Sequence, residues 1–135
     1  MKIRKTVLFM LLALILVCCV VPAQKAEEQA DVQYVLYLGT NDKDTNTPVF
    51  TQAEALEQAK AILLKHFGGY TIMEASGGWV SDGKEYQEYT LVIYLSDTTL
   101  EAVHAAVDEM VEVFHQSSVL IQENPTRTEF YSPAE

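Results

Sequence analysis

Residues 67–97 read FGGYTIMEASGGWVSDGKEYQEYTLVIYLSD. The fold is decided here. Residues 86–95 alternate: Tyr89, Leu91, Ile93 and Leu95 point one way, and Tyr86, Glu88, Thr90, Val92 and Tyr94 the other. That period of two is the pattern of a strand with two different faces. Residues 70–75 form an earlier strand. Between them, SGGWVSDG at residues 76–83 exceeds a two-residue hairpin turn. Its glycines predict a bulge or wide loop carrying Trp79, the only tryptophan.

Helical patterns lie on either side. Thr51-Gln52-Ala53-Glu54 makes a capping box, followed by an apolar stripe at Leu56, Ala59, Ile62, Leu63 and Phe67. Gly68-Gly69 offers a left-handed stop. Beyond the central stretch, Thr98-Thr99-Leu100-Glu101 repeats the capping box. Leu100, Val103, Val107, Met110, Val111 and Phe114 form a second stripe. Further out, residues 32–39 (VQYVLYLG) make a strand apolar on both sides, with Tyr34, Leu36 and Leu38 on one face and Val35 and Tyr37 on the other. Residues 40–49 are an Asn-, Asp- and Thr-rich loop. Residues 119–122 are a short strand, Glu123-Asn124-Pro125 a turn, and residues 126–131 an extra C-terminal edge strand. The order is β-α-β-β-α-β, in two halves each holding a capped helix. The expected fold class is α+β, ferredoxin-like: an antiparallel four-stranded sheet with two helices on one face.

The domain so read spans residues 32–131, with a tail at 132–135 and a polar tether at 24–31. Residues 1–23 have the form of a secretory signal peptide: Lys2, Arg4 and Lys5, a 15-residue apolar run at 7–21, then Val21-Pro22-Ala23. A membrane span needs about 20 such residues. Both cysteines, Cys18 and Cys19, fall in that run, so a lipid anchor at either is the alternative, and the membrane is met only through this segment if it stays uncleaved or is lipidated. Cleavage after Ala23 leaves an exported domain without cysteine, folded on its core alone. It also removes three of nine basic residues and none of the 19 acidic ones, for a net charge of −13. So acidic a surface repels phosphate backbones, which argues against nucleic acid as a partner.

The spacing Gly69-x-Thr71-x-x-x-Ala75-x-Gly77-x-Trp79, a Glu-bearing strand, a helix and Gln116-x-Ser118-Val119-Leu120 resembles a family of small exported bacterial proteins, a domain of unknown function with a ferredoxin-like shape. The likeness covers residues 34–123. It implies the fold and the export signal, and it carries no assigned reaction. The chain departs from it in lacking mature cysteine and in its acidity.

The face turned from the helices is too aromatic for a plain solvated surface. Its Tyr37, Tyr86, Glu88, Val92 and Tyr94, with Trp79 at the loop, are the candidate ligand or interface residues. Trp79 reads either as a lid or as a plug for the end of the core. Asp42-Lys43-Asp44 imitates the opening of a calcium loop, but Thr47 replaces the turn glycine and Ala53 the bidentate Glu, which leaves an Asx-rich turn. His104 and Asp108 lie one helical turn apart, too few ligands for a metal site. Glu74, Glu85 and Glu88 bring carboxylates toward one region. No serine sits in a nucleophile elbow, and Gly77-Gly78 is not a phosphate loop. No catalytic residue, metal or cofactor is assigned. The expected function is a self-associating module, a homo-oligomer that takes a small molecule at its open sheet face. The alternatives are an enzyme with a cavity between paired sheets and a structural or adhesive surface protein.

Overall fold

The computed structural model describes residues 31–134. The leader read at residues 1–23 and all but the last residue of the tether lie outside the described residues. The elements are β1 (Asp31–Gly39), α1 (Gln52–His66), β2 (Thr71–Ser81), β3 (Lys84–Leu95), α2 (Leu100–Val113) and β4 (Leu120–Thr126). The sheet order is β2-β3-β1-β4, with every neighbouring pair antiparallel. Each helix links two strands that flank a strand of the other half, which is the ferredoxin-like arrangement.

Both helices cover one face. Leu36 and Leu38 of β1 meet Ile93 and Leu91 of β3 in register, and all four are sealed from solvent. Above them lie Ala55, Ala59, Ile62 and Leu63 of α1, Val103, Ala106 and Met110 of α2, and Phe114. The alanines stand where the stripes face the sheet, so each helix approaches closely. The Thr51 capping box forms, with Glu54 N–H donating to Thr51 Oγ1 at 3.3 Å and Thr51 N–H donating to Glu54 at 3.0 Å. Glu109 of α2 receives Lys65 and His66 of α1, each at 2.8 Å, which holds its carboxyl below the usual range. Among the described residues no helix is long and apolar enough to cross a membrane.

Five local expectations are corrected. Residues 76–81 are strand, not loop: β2 runs to Ser81, and the hairpin closes in two residues, Asp82-Gly83, with φ of 50° and 75°. Two positive φ values suit a turn whose twist matches the strands, and Asp-Gly is a favoured pair there. Trp79 therefore stands on a strand, opposite Tyr86. The second helix is capped by Thr99, whose hydroxyl accepts from Ala102 N–H at 3.2 Å, not by Thr98. The first helix stops at an extended Phe67, with φ −132°, rather than at a left-handed glycine. Finally, β4 runs through Glu123-Asn124-Pro125, and residues 127–134 form no strand. Pro125 is tolerated because β4 is an edge, where a missing N–H breaks no inner ladder.

Leu36→Ala, at the centre of the sealed layer, is expected to lower unfolding free energy by about 3 kcal/mol through lost transfer energy and the cavity left behind. Urea denaturation checks this.

Candidate functional site

Strand register turns the uncovered face into a ladder of lateral rows. The first row is Thr71, Tyr94, Val35 and Gln122; the second is Met73, Val92, Tyr37 and Leu120. These two rows cross all four strands. The third is Ala75, Thr90 and Gly39, where β1 ends. Past that point β2 and β3 continue as a two-stranded ribbon with rows Gly77–Glu88, Trp79–Tyr86 and Ser81–Lys84. Successive rows sit about 7 Å apart along the strands.

The face therefore has two zones. The second row is a bulky apolar stripe, with Met73 55% and Leu120 59% exposed. The fifth row is an aromatic wall: the Trp79 and Tyr86 rings stack at 5.3 Å and 13°. Between them the strands carry only small residues on β1 and β2, Gly39, Ala75 and Gly77, and the side chains of Glu88 and Thr90 fill the space over the two glycines. The result is a trough of about 520 Å³, lined by Tyr37, Leu120, Trp79, Tyr86 and Glu88 of the sheet and by polar residues of the neighbouring loops, among them Asn41, Lys43, Asn46, Gln116, Ser117 and Ser118.

Glu88 is held in place. Its Oε2 accepts the backbone N–H groups of Thr40 at 3.1 Å and Asn41 at 3.2 Å, just past the end of β1. The carboxylate thereby ties the ribbon to the β1–α1 loop. It lies over Gly39, where an added Cβ would meet both carboxylate oxygens at 2.5 Å. A Cβ at Gly77 would strike Thr90 Oγ1. Both glycines are thus required by close approach within strands. The supporting loop is itself anchored. Thr40 Oγ1 donates to Tyr89 O at 2.7 Å, Asn41 Nδ2 donates to Gln87 O at 3.3 Å, and Gln116 Nε2 donates to Asn41 O.

Beside the trough, Asp42 binds its own loop. Its Oδ1 accepts Thr45 N–H and Asp44 N–H, each at 2.9 Å, and Oδ2 meets His115 Nδ1 at 3.0 Å. These bonds, those from Thr45 and Asp44 first and His115 after them, pull the Asp42 carboxyl down from 3.8 to about 2. This is the Asx turn, and its oxygens are already used. His115 adopts φ 51° just past α2, and its carbonyl accepts Lys43 N–H at 3.0 Å.

The structure sorts the candidate residues. Trp79, Tyr86, Glu88 and Tyr37 line the trough together. Val92 lies in the apolar stripe and Tyr94 in the row beyond it. The expected gathering of Glu74, Glu85 and Glu88 does not occur: Glu74 opposes Leu91 and Glu85 opposes Val80, on the face away from Glu88. Glu74 instead accepts the Tyr89 hydroxyl at 2.8 Å. Burial first, then that carboxylate, pushes the phenol up to about 12. His104 and Asp108 are exposed on α2, and among the described residues no group of three or more His, Cys, Asp or Glu is placed to hold a metal. Sequence reasoning missed Gly39, Thr90 and the backbone amides of Thr40 and Asn41. It also took Gly77 for turn chemistry. The available signal was a glycine at an alternating strand position.

Residues 33–130 match the family described as "Protein of unknown function (DUF3574)". The chain belongs to that family. No curated protein matches it at significance. Among solved structures it is similar to a phage SAM lyase in complex with S-methyl-5'-thioadenosine, at 19% identity and TM-score 0.57, over 71% of this chain and 81% of that one. The apo phage SAM lyase gives 22% identity and TM-score 0.51, over 79% and 91%. The periplasmic divalent cation tolerance protein CutA from Archaeoglobus fulgidus gives 14% and 0.50, over 74% and 86%. At these identities the likeness is one of fold.

Gly39→Ala is expected to displace Glu88 and to destabilise the fold by about 1–3 kcal/mol, as overpacking does. Chemical denaturation with the Thr40 and Asn41 amide shifts tests it. Because Asp42 is depressed in the folded loop, its contribution is full above pH 3.8 and is lost as pH falls through about 2. The Thr45 amide resonance is expected to titrate in that window, and Asp42→Asn to abolish the titration.

Proposed function

We propose that the protein is an exported module that self-associates through the open face of its sheet and holds a small molecule in the trough beside Glu88. The observation that carries this reading is the division of that face. An apolar stripe crossing all four strands abuts a trough with a carboxylate fixed in it.

The stripe suits a second copy of the chain. Met73, Val92, Tyr37 and Leu120 form one continuous row, and an exposed apolar strip of that extent gains by being covered. A sheet face packed on its own copy is a self-complementary contact of the commonest symmetric kind. Such packing covers the first two rows and leaves rows three to five as a cleft at the edge of the interface. The trough has features of a ligand site: a concavity with an aromatic wall, polar residues of the neighbouring loops and one oriented carboxylate. The phage SAM lyase, solved with S-methyl-5'-thioadenosine, supports the view that a fold of this kind accommodates a ligand of nucleoside size.

A second reading, an enzyme whose cavity lies between paired sheets, draws on the Asp42–His115 contact at 3.0 Å. The imidazole is oriented through Nδ1, which leaves Nε2 for proton exchange. Binding without reaction is preferred, since among the described residues none of the lining serines, Ser81, Ser117 and Ser118, is hydrogen-bonded to a base.

Met73→Asp and Tyr94→Asp are expected to reduce the mass of the assembly to that of one chain, with circular dichroism unchanged. Light scattering reads this, and a wild-type protein already monomeric at micromolar concentration would sink the self-association. Native mass spectrometry of protein from its own host tests the pocket. A retained adduct that Trp79→Ala releases supports it; an adduct untouched by that change removes the trough from consideration.

A further inference from the structure

We infer that the trough selects an organic cation, with an alkylammonium or other onium head held between the Glu88 carboxylate and the stacked Trp79 and Tyr86 rings. This rests on the pocket proposed above and names the chemistry of what fills it.

The carboxylate supplies the first argument. Glu88 spends Oε2 on two backbone N–H groups, and Oε1 has no hydrogen-bond partner among the described residues. No lysine, arginine or histidine pairs with Glu88 among them either. The two lysines nearest the trough are engaged elsewhere. Lys43 lines it, but its ammonium is on Asp44 at 2.8 Å. Lys84 places Nζ 4.8 Å from the centre of the Tyr86 ring, at the outer end of the ribbon. The trough thus offers one oriented, unneutralised negative group.

Shape and field supply the second. Half-buried, Glu88 lines the trough with its carboxylate laid over Gly39. The stacked Trp79 and Tyr86 rings that line the trough with the carboxylate suit a bulky, weakly hydrated cation rather than a small hydrated ion, which asks for several oxygen ligands. Lys84 over Tyr86 already displays the attraction of this wall for positive charge. With 19 acidic against nine basic residues, the surrounding potential favours cations and opposes phosphates and carboxylates.

Stapling the loop does not by itself require this residue. A glutamine oxygen accepts the same two N–H groups, whereas only glutamate adds charge at the trough floor. Glu88→Gln therefore separates the two roles.

The probe is choline chloride, titrated at ionic strength held constant with sodium chloride, against its neutral isostere 3,3-dimethyl-1-butanol. Trp79 fluorescence is the readout, since it is the only tryptophan. Choline is expected to saturate the signal and to bind at least about tenfold more tightly than the isostere, as an ionic contact implies. Glu88→Gln is expected to erase that preference while thermal melting and assembly mass stay unchanged. Equal affinity for the two ligands, or wild-type choline binding by Glu88→Gln, overturns cation selection and leaves the pocket itself standing. No saturable response to choline also overturns it, and the pocket is then judged by the host-derived adduct alone. The wild-type comparison stands even if the variant fails to fold.

Discussion

The pairing of β1 with β3 governs the rest of the molecule. Leu38 meets Leu91, Leu36 meets Ile93 and Tyr34 meets Leu95, and each is buried under the helices. Side chains alternate along a strand, so this register also dictates what faces outward. A slip of one residue would drive Glu88, Tyr86 and Tyr94 into the core and expose the leucines. The two helices, each carrying alanine at its contact with the sheet, cover this face. The position of Glu88 in the open face is thus a consequence of burying Leu91 and Ile93.

The length difference between β1 and β3 creates the site. β1 stops at Gly39, while β2 and β3 run on to a two-residue turn. At that step the backbone amides of Thr40 and Asn41 leave the ladder, and buried amides require acceptors. Glu88 supplies one oxygen to both. The same loop is fastened to the end of α2 through Lys43 N–H on the His115 carbonyl and through Asp42 on the imidazole. Residues from both halves of the chain therefore converge there, and the carboxylate is held by the loop that follows the first strand.

The two zones of the open face ask different things of a partner. A stripe of Met73, Val92, Tyr37 and Leu120 is satisfied by any apolar cover, and its energy scales with area. The trough is smaller and directional, with a charge at its base and stacked rings at its side. Tyr37 belongs to both, and its hydroxyl donates to Gln122 at 3.2 Å. Association and ligand occupancy thus meet along one edge of the trough, at this residue.

Much of this was legible beforehand. Periodicity in residues 86–95 named both faces of the central strand, and the two helical stripes named the layer above. Four of the six candidate residues do share one trough. Each of these features depends on local spacing, which the sequence carries in full. The failures were also local: Asp82-Gly83 was a hairpin signal, masked by the preceding glycines, which led residues 76–81 to be read as loop. Other features were beyond any linear reading. That Gly39 lies under the Glu88 carboxylate while Gly77 stands opposite Glu88 follows from the register of three strands, with Gly77 and Glu88 lying 38 and 49 positions from Gly39 in sequence. So does the separation of Glu88 from Glu74 and Glu85. The sequence by itself determined the two helices, the central strands with their buried faces and the outward row of Tyr86, Glu88, Val92 and Tyr94, because alternation and helical repeat are properties of neighbours along the chain. Only the tertiary structure decided that Glu88 is oriented by the amides of Thr40 and Asn41 over Gly39, because cross-strand register joins residues that no spacing relates.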